Sequence, residues 1–255
     1  LKAMSLYVKR DSMIHHFDPI TKLYYILFVI TIPIILPAFL ISALCIVTSF
    51  VFLLMAKVIK KTLPVYGFVF LILITVVIIQ GLFRPGNETI VIQLGPFPMY
   101  KEGLLFALSI ILRVINIISA VMLLVLTTKP SDLVESLVRR GLSPRIGYVI
   151  TSVFQIIPEM VNTMGTIIDA QRSRGMETEG GLFVRIKAFF PILGPVVLGS
   201  LISTKERAMA LEVRGFHSQS RKTFLVAEKI HPYSKVIRIA MLLLTVSALV
   251  WRIFL

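Results

Sequence analysis

The residues with the most chemistry to offer are four arginines set just ahead of two glycines. The segment IPEMVNTMGTIIDAQRSRG (157–175) places Arg172 and Arg174 before Gly175, and KERAMALEVRG (205–215) places Arg207 and Arg214 before Gly215. In the first segment Ile157, Met160, Val161, Met164, Ile167 and Ile168 recur at helical spacing, with Glu159, Asn162, Thr163, Thr166 and Asp169 on the other face. A glycine after the last periodic residue can take the left-handed conformation without a Cβ penalty and stop the helix. The spacing therefore predicts two helices that each present arginine at a free end. Such arginines offset the helix dipole, worth roughly 0.3 to 1 kcal/mol each when exposed. Alternatively they are docking pins, since a guanidinium is planar, permanently charged and able to grip a carboxylate with two hydrogen bonds. On the residues alone both readings stay open.

Other chemistry is sparse. There is no G-x-x-x-x-G-K-[ST] phosphate loop, no H-E-x-x-H zinc pair and no G-x-S-x-G nucleophile elbow. The chain is accordingly expected to be neither an ATPase nor a metallohydrolase, and to carry no cofactor. His15 and His16 are adjacent, and neighbours on a helix do not share a face, so they make a poor metal chelate. His217 and His231 read as ordinary surface residues. Cys45 is the single cysteine and lies in an apolar run, which rules out a disulfide framework.

The elements that must position the arginines are membrane helices and a charged helical layer. A hydrophobic fraction of 56% and a mean hydropathy of +0.89 point to an all-α integral membrane protein. The formal net charge of +14 then reflects Lys and Arg held on the cytoplasmic side, and no nucleic-acid partner is expected. The apolar stretch 23–56 is too long for one span and is flanked by Lys9, Arg10 and Lys22 on one side and Lys57, Lys60 and Lys61 on the other. Keeping both clusters inside requires two spans, about 23–36 and 38–56, with Pro33 and Pro37 marking the turn. A third span is expected after a break at Pro64, about 65–83. An external loop whose TIVIQL alternation suggests a hairpin follows, then a fourth span at about 104–126. Arg113 and Asn116 lie near the middle of that span, where an arginine costs roughly 2.5 to 3.5 kcal/mol on insertion scales. They read either as interior polar partners or as a contact to a second membrane protein.

Between Lys129 and Arg238 the balance shifts to 16 Lys/Arg against nine Asp/Glu. This segment predicts cytoplasmic helices. The first is capped by Ser131 and closed by Arg139-Arg140-Gly141. The second runs from Ser143-Pro144 to Arg174 with a bend at Pro158, and the third covers 182–214 with interruptions at Pro191 and Pro195. A fifth span, about 236–254, ends near Trp251 and takes the C-terminus outside. The expected organisation is thus 1–128 with four spans, 129–235 as a cytoplasmic helical layer, and 236–255 as the last span.

At the two arginine-glycine ends the chain resembles the transmembrane T component of energy-coupling factor (ECF) transporters. That family's mark is a pair of X-Arg-Gly triplets ending two cytoplasmic coupling helices. Here they are Ser173-Arg174-Gly175 and Val213-Arg214-Gly215, with Ser173 and Val213 where alanine is usual. HHFDPITKL also resembles the family's L-D-P-R-T-K-L lead-in to the first span, departing at Phe17 and Ile20. The resemblance implies a non-catalytic subunit of the prokaryotic cytoplasmic membrane, with its N-terminus inside. Its partners would be two ATP-binding-cassette ATPase subunits and a membrane-embedded S component that binds a vitamin or a transition-metal ion. It further implies that Arg174 and Arg214 each enter an acidic groove on one ATPase subunit, with Arg172 and Arg207 in support. A self-sufficient secondary transporter, with Arg113 and Asn116 lining a polar path, is the competing class.

Overall fold

The computed structural model describes residues 7–8, 10, 12–86, 88–94, 97–176, 181–218, 223–224 and 233–254. A 3₁₀ turn over Met13–His16 leads into α1 (Pro19–Ile35), α2 (Phe39–Met55) and α3 (Ile59–Phe83). A hairpin of β1 (Ile90–Leu94) and β2 (Phe97–Tyr100) precedes α4 (Lys101–Thr127), α5 (Pro130–Arg139), α6 (Pro144–Ser173), α7 (Leu182–Val213) and α8 (Ser234–Phe254). The chain divides into two compact units, one over Val138–Ala227 and one formed by Leu6–Leu137 with Glu228–Leu255.

The second of these is a helical membrane bundle. Among the described helices α3, α4 and α8 are long and apolar enough to cross a bilayer. Helices α1 and α2 have 17 residues each, about 25 Å at 1.5 Å per residue, a little short of a core about 30 Å thick. Helix α4 is the hub: α1, α2 and α3 all pack on it, and α8 packs on α1. Since lipid-facing surface is apolar too, the buried polar groups say most about how the helices are held. Asn116 is wholly buried on α4, its Nδ2 donating to the Val29 carbonyl of α1 at 3.4 Å and its Oδ1 lying 3.3 Å from Ser49 Oγ of α2. The Tyr25 hydroxyl meets the same Ser49 at 2.7 Å, and Tyr66 of α3 meets Ser119 of α4 at 2.7 Å. Interhelical bonds of this kind contribute roughly 0.6 to 2 kcal/mol each in hydrocarbon.

Asp18 caps α1 as the Asp-Pro pair predicts: its Oδ1 accepts the Ile20 N–H at 3.2 Å, with Pro19 at the first helical position. The hairpin also forms, with Ile90 opposite Tyr100 and Leu94 opposite Phe97. Glu102, at the start of α4, accepts the Glu88 and Thr89 N–H groups and the Thr89 hydroxyl, while Arg84 donates to the Glu102 carbonyl at 2.9 Å. The loop's charges therefore close it onto α4.

Four expectations are corrected. Helix α3 begins at Ile59 rather than after Pro64, α1 runs through Pro33, and α7 is continuous through Pro191 and Pro195. An interior proline removes one helical hydrogen bond and crowds the carbonyl four residues back, yet the helix persists where neighbours or local adjustment satisfy that carbonyl. Helix α5 starts at Pro130, so Ser131 sits inside it with its hydroxyl donating to Asp132 at 3.2 Å. The Lys129 carbonyl, not a serine, accepts the first turn's N–H groups.

Candidate functional site

Helices α6 and α7 end in the same device. In α6 the Gly175 N–H donates to the Arg172 carbonyl at 2.9 Å and the Met176 N–H to the Gln171 carbonyl at 3.0 Å. In α7 the Gly215 N–H donates to Glu212 at 2.9 Å and the Phe216 N–H to Leu211 at 3.0 Å. Both pairs are Schellman closures, in which the chain reverses through a left-handed residue. Gly175 at φ +84° and Gly215 at φ +70° supply it, and the arginine occupies the C-cap each time. Ser173, Arg174, Val213 and Arg214 are all exposed. Ser173 bonds back to the Asp169 carbonyl at 3.1 Å, whereas Val213 is 89% exposed. Among the described residues neither the Arg174 nor the Arg214 guanidinium has a hydrogen-bond or ion-pair partner.

The two helices run antiparallel. Tyr148, near the start of α6, packs on Phe216, just past the end of α7, with ring centroids 5.4 Å apart. Further along, Glu159 of α6 pairs with Arg207 of α7. Beyond that pair Met160 and Thr163 face Gly199, Ser200 and Ser203 across a small cleft. A Cβ built on Gly199 meets nothing within 4 Å, so the two helices leave open space at this cleft. Tyr148 and Arg174 are separated by 26 residues of one helix, about 39 Å. Because Arg214 lies two residues before Phe216 at the Tyr148 end, the two arginine-bearing tips lie at opposite ends of the pair, roughly 40 Å apart along a straight helix.

Arg172 lies in the last turn of α6 and its carbonyl closes the Gly175 turn. Arg207, by contrast, is committed to Glu159 and ties the helices together. The structure does not bring Arg113 and Asn116 into one path. Asn116 is enclosed by α1 and α2, while Arg113 is half-buried on a neighbouring face of α4. Sequence reasoning missed the Tyr148–Phe216 contact and the part played by Glu159. The available signals were an aromatic directly after the terminal glycine, where an apolar contact often accompanies this turn, and an acidic residue in a basic segment. His15 is held locally, Nδ1 2.7 Å from Ser12 Oγ and Nε2 3.0 Å from the Val8 carbonyl. His217 is exposed and edge-on to Phe216, and His231 lies outside the described residues.

An α-helical membrane bundle accompanied by an antiparallel helix pair with an exposed arginine at each tip defines a helical membrane protein with two cationic helix ends. The family model described as cobalt transport protein, CbiQ, matches residues 10–225. The chain is 33% identical to the energy-coupling factor transporter transmembrane protein EcfT of Leuconostoc gelidum subsp. gasicomitatum over 182 residues, 68% of this chain and 66% of that one. To the protein of the same name from Brevibacillus brevis it is 31% identical over 238 residues, 88% of each. To that from Lactococcus lactis subsp. cremoris it is 27% identical over an alignment of 263 positions, 97% of each. The chain belongs to this family, the energy-coupling transmembrane components of ECF transporters.

Proposed function

We propose that this subunit carries ATP-driven motion from two ATP-binding-cassette subunits to a membrane-embedded S component, which binds the vitamin or transition-metal ion being imported. The observation that carries the reading is the matched pair of helix ends: one Schellman closure, one C-cap arginine and one guanidinium without a partner among the described residues at each. A guanidinium fixed on a stiff helix suits an acidic groove, and removing one partner of such a desolvated pair costs about 2 to 5 kcal/mol. Tips about 40 Å apart suit two separate grooves, one on each ATPase subunit. When the ATPase dimer closes, it shifts both tips, and the antiparallel pair passes that shift on as one two-state element.

In this scheme the chain does no catalysis and needs no cofactor. Substrate selectivity belongs to the S component, and the family model's description points to cobalt as one candidate cargo. The Asn116 bonds are internal to the bundle, which favours coupling over a self-sufficient secondary transporter. The charge pattern supports five spans in the prokaryotic cytoplasmic membrane, α1 to α4 and α8, with the N-terminus inside and residues 129–235 forming the coupling layer. The test is reconstitution with both ATPase subunits and an S component. Arg174→Glu and Arg214→Glu together should abolish ATPase retention and uptake while membrane insertion is unchanged; normal uptake by the double variant overturns the proposal.

A further inference from the structure

Arg113 is left unexplained by the arginine tips. It lies 12 residues from the start of α4 and 14 from its end, about 18 Å and 21 Å along the axis. Lys101 and Lys129 flank the helix, so neither interface is within the reach of an arginine side chain. Phe106, Ser109, Arg113, Ile117 and Val121 follow one another at helical spacing. Every one of them is half-buried or exposed, in contrast to Gly103, Ala107, Asn116, Ala120 and Leu123 on the packed side. The Ser109 hydroxyl is turned back to the Phe106 carbonyl at 2.7 Å. Among the described residues the Arg113 guanidinium has no hydrogen-bond or ion-pair partner. Acyl chains offer no acceptor for five N–H donors. The face is therefore complementary to a surface that brings an acceptor to mid-membrane depth.

We infer that this stripe of α4 is where the S component docks within the membrane, placing a carboxylate or an unpaired backbone carbonyl on a transmembrane helix against Arg113. The inference rests on the coupling reading, but it concerns a different surface from the two tips. The flanking Ile117 and Val121 supply apolar contact on the C-terminal side of the charge; on the N-terminal side the Phe106 ring is already covered by the Arg84 guanidinium, 3.9 Å from its centre. Arg113 acts as the specificity point because a helix without an acceptor at that depth leaves the guanidinium buried and unpaired.

The experiment uses the complete complex of this chain, both ATPase subunits and the S component in lipid nanodiscs. Arg113→Met and Arg113→Lys are compared with wild type, and a photoreactive residue is placed at Val121. The expected result for Arg113→Met is an S-component recovery at least tenfold lower, with full retention of the ATPase subunits and an undiminished unfolding temperature. Arg113→Lys should restore part of the recovery, and Val121 should cross-link to the S component. Unchanged S-component recovery in Arg113→Met, or cross-links from Val121 to lipid alone, overturns the inference. Loss of the ATPase subunits is a separate readout that reports on Arg174 and Arg214 and leaves this surface to be judged by the S component.

Discussion

Lys22 Nζ donates to the Thr127 carbonyl at 3.2 Å and reaches Thr128 Oγ1 at 3.0 Å, joining the first turn of α1 to the last turn of α4 across more than a hundred residues. The final carbonyls of a helix lack intrahelical partners and carry the negative end of its dipole, so a buried ammonium satisfies both needs. One turn earlier Asp18 caps α1 and lies 3.7 Å from Arg238 of α8. A single turn of α1 thus fastens two other helices. This accounts for the way HHFDPITKL resembles its family: Asp18 and Lys22 hold the polar ties, while Ile20, where the chain departs, is simply a buried apolar residue.

Replacing Lys22 with Met keeps the volume and removes the donor, leaving the α4 carbonyl end unsatisfied. The expected cost is about 1 to 3 kcal/mol, read as a lower unfolding temperature of the detergent-purified protein. Asp18→Asn retains an acceptor for the Ile20 N–H and loses the charge that faces Arg238 and Lys22. Asp18→Ala loses both and should be the more damaging of the two.

Gly175 and Gly215 have positive φ, and a Cβ built on either meets nothing within 4 Å. Any effect of substitution is therefore backbone strain and not a clash. Alanine at either site should cost roughly 1 to 2 kcal/mol of local helix-end stability, whereas asparagine, which tolerates the left-handed region, should cost less. The expected outcome is uptake falling in the order Gly, Asn, Ala, Val at position 215 with membrane insertion constant. Equal activity across the series would show that the arginine does not depend on the turn.

Gly103 presents the opposite case. Its Cβ would lie 2.1 Å from the Gln80 carbonyl oxygen, in the backbone of α3, whereas a Cβ on Gly81 meets the flexible tip of Met99 at 3.1 Å and the Leu104 side chain at an ordinary contact distance of 3.6 Å. Gly103→Ala must push α3 away from α4 and should destabilise by about 1 to 3 kcal/mol. Gly81→Ala should be tolerated. Thermal unfolding of the two single variants side by side checks the contrast.

Much of this was legible because membrane helices and helix ends write strong signals. The spans α3, α4 and α8 announce themselves by length and hydropathy, and the two closures by Arg-Gly after a periodic run. Proline was misread at Pro33, Pro64, Pro191 and Pro195, since local propensity cannot say whether a freed carbonyl will find another partner. Asn116 and Arg113 look alike in sequence, two polar residues three apart in one apolar helix. Only the packing of α1 and α2 against α4 separates the enclosed one from the open one. The Arg207–Glu159 pair was hidden for a similar reason, because its partners lie 48 residues apart and meet only when α6 and α7 run antiparallel.

That pair distinguishes a tie from a third docking point. Both side chains are partly exposed, 33% for Arg207 and 53% for Glu159, so the bond contributes little to stability, about 0.2 to 1 kcal/mol. If the pair serves to make α6 and α7 move together, Arg207→Glu should leave the unfolding temperature nearly unchanged and reduce uptake by placing like charges at the crossing. The reversed pair, Glu159→Arg with Arg207→Glu, should then recover most of the lost uptake, since the attraction is restored with its ends exchanged. If Arg207 instead acts by touching an ATPase subunit, the reversed pair stays as defective as the single variant. The double-mutant comparison therefore assigns Arg207 its role from one set of four proteins measured under identical salt, which matters because exposed pairs weaken as ionic strength rises.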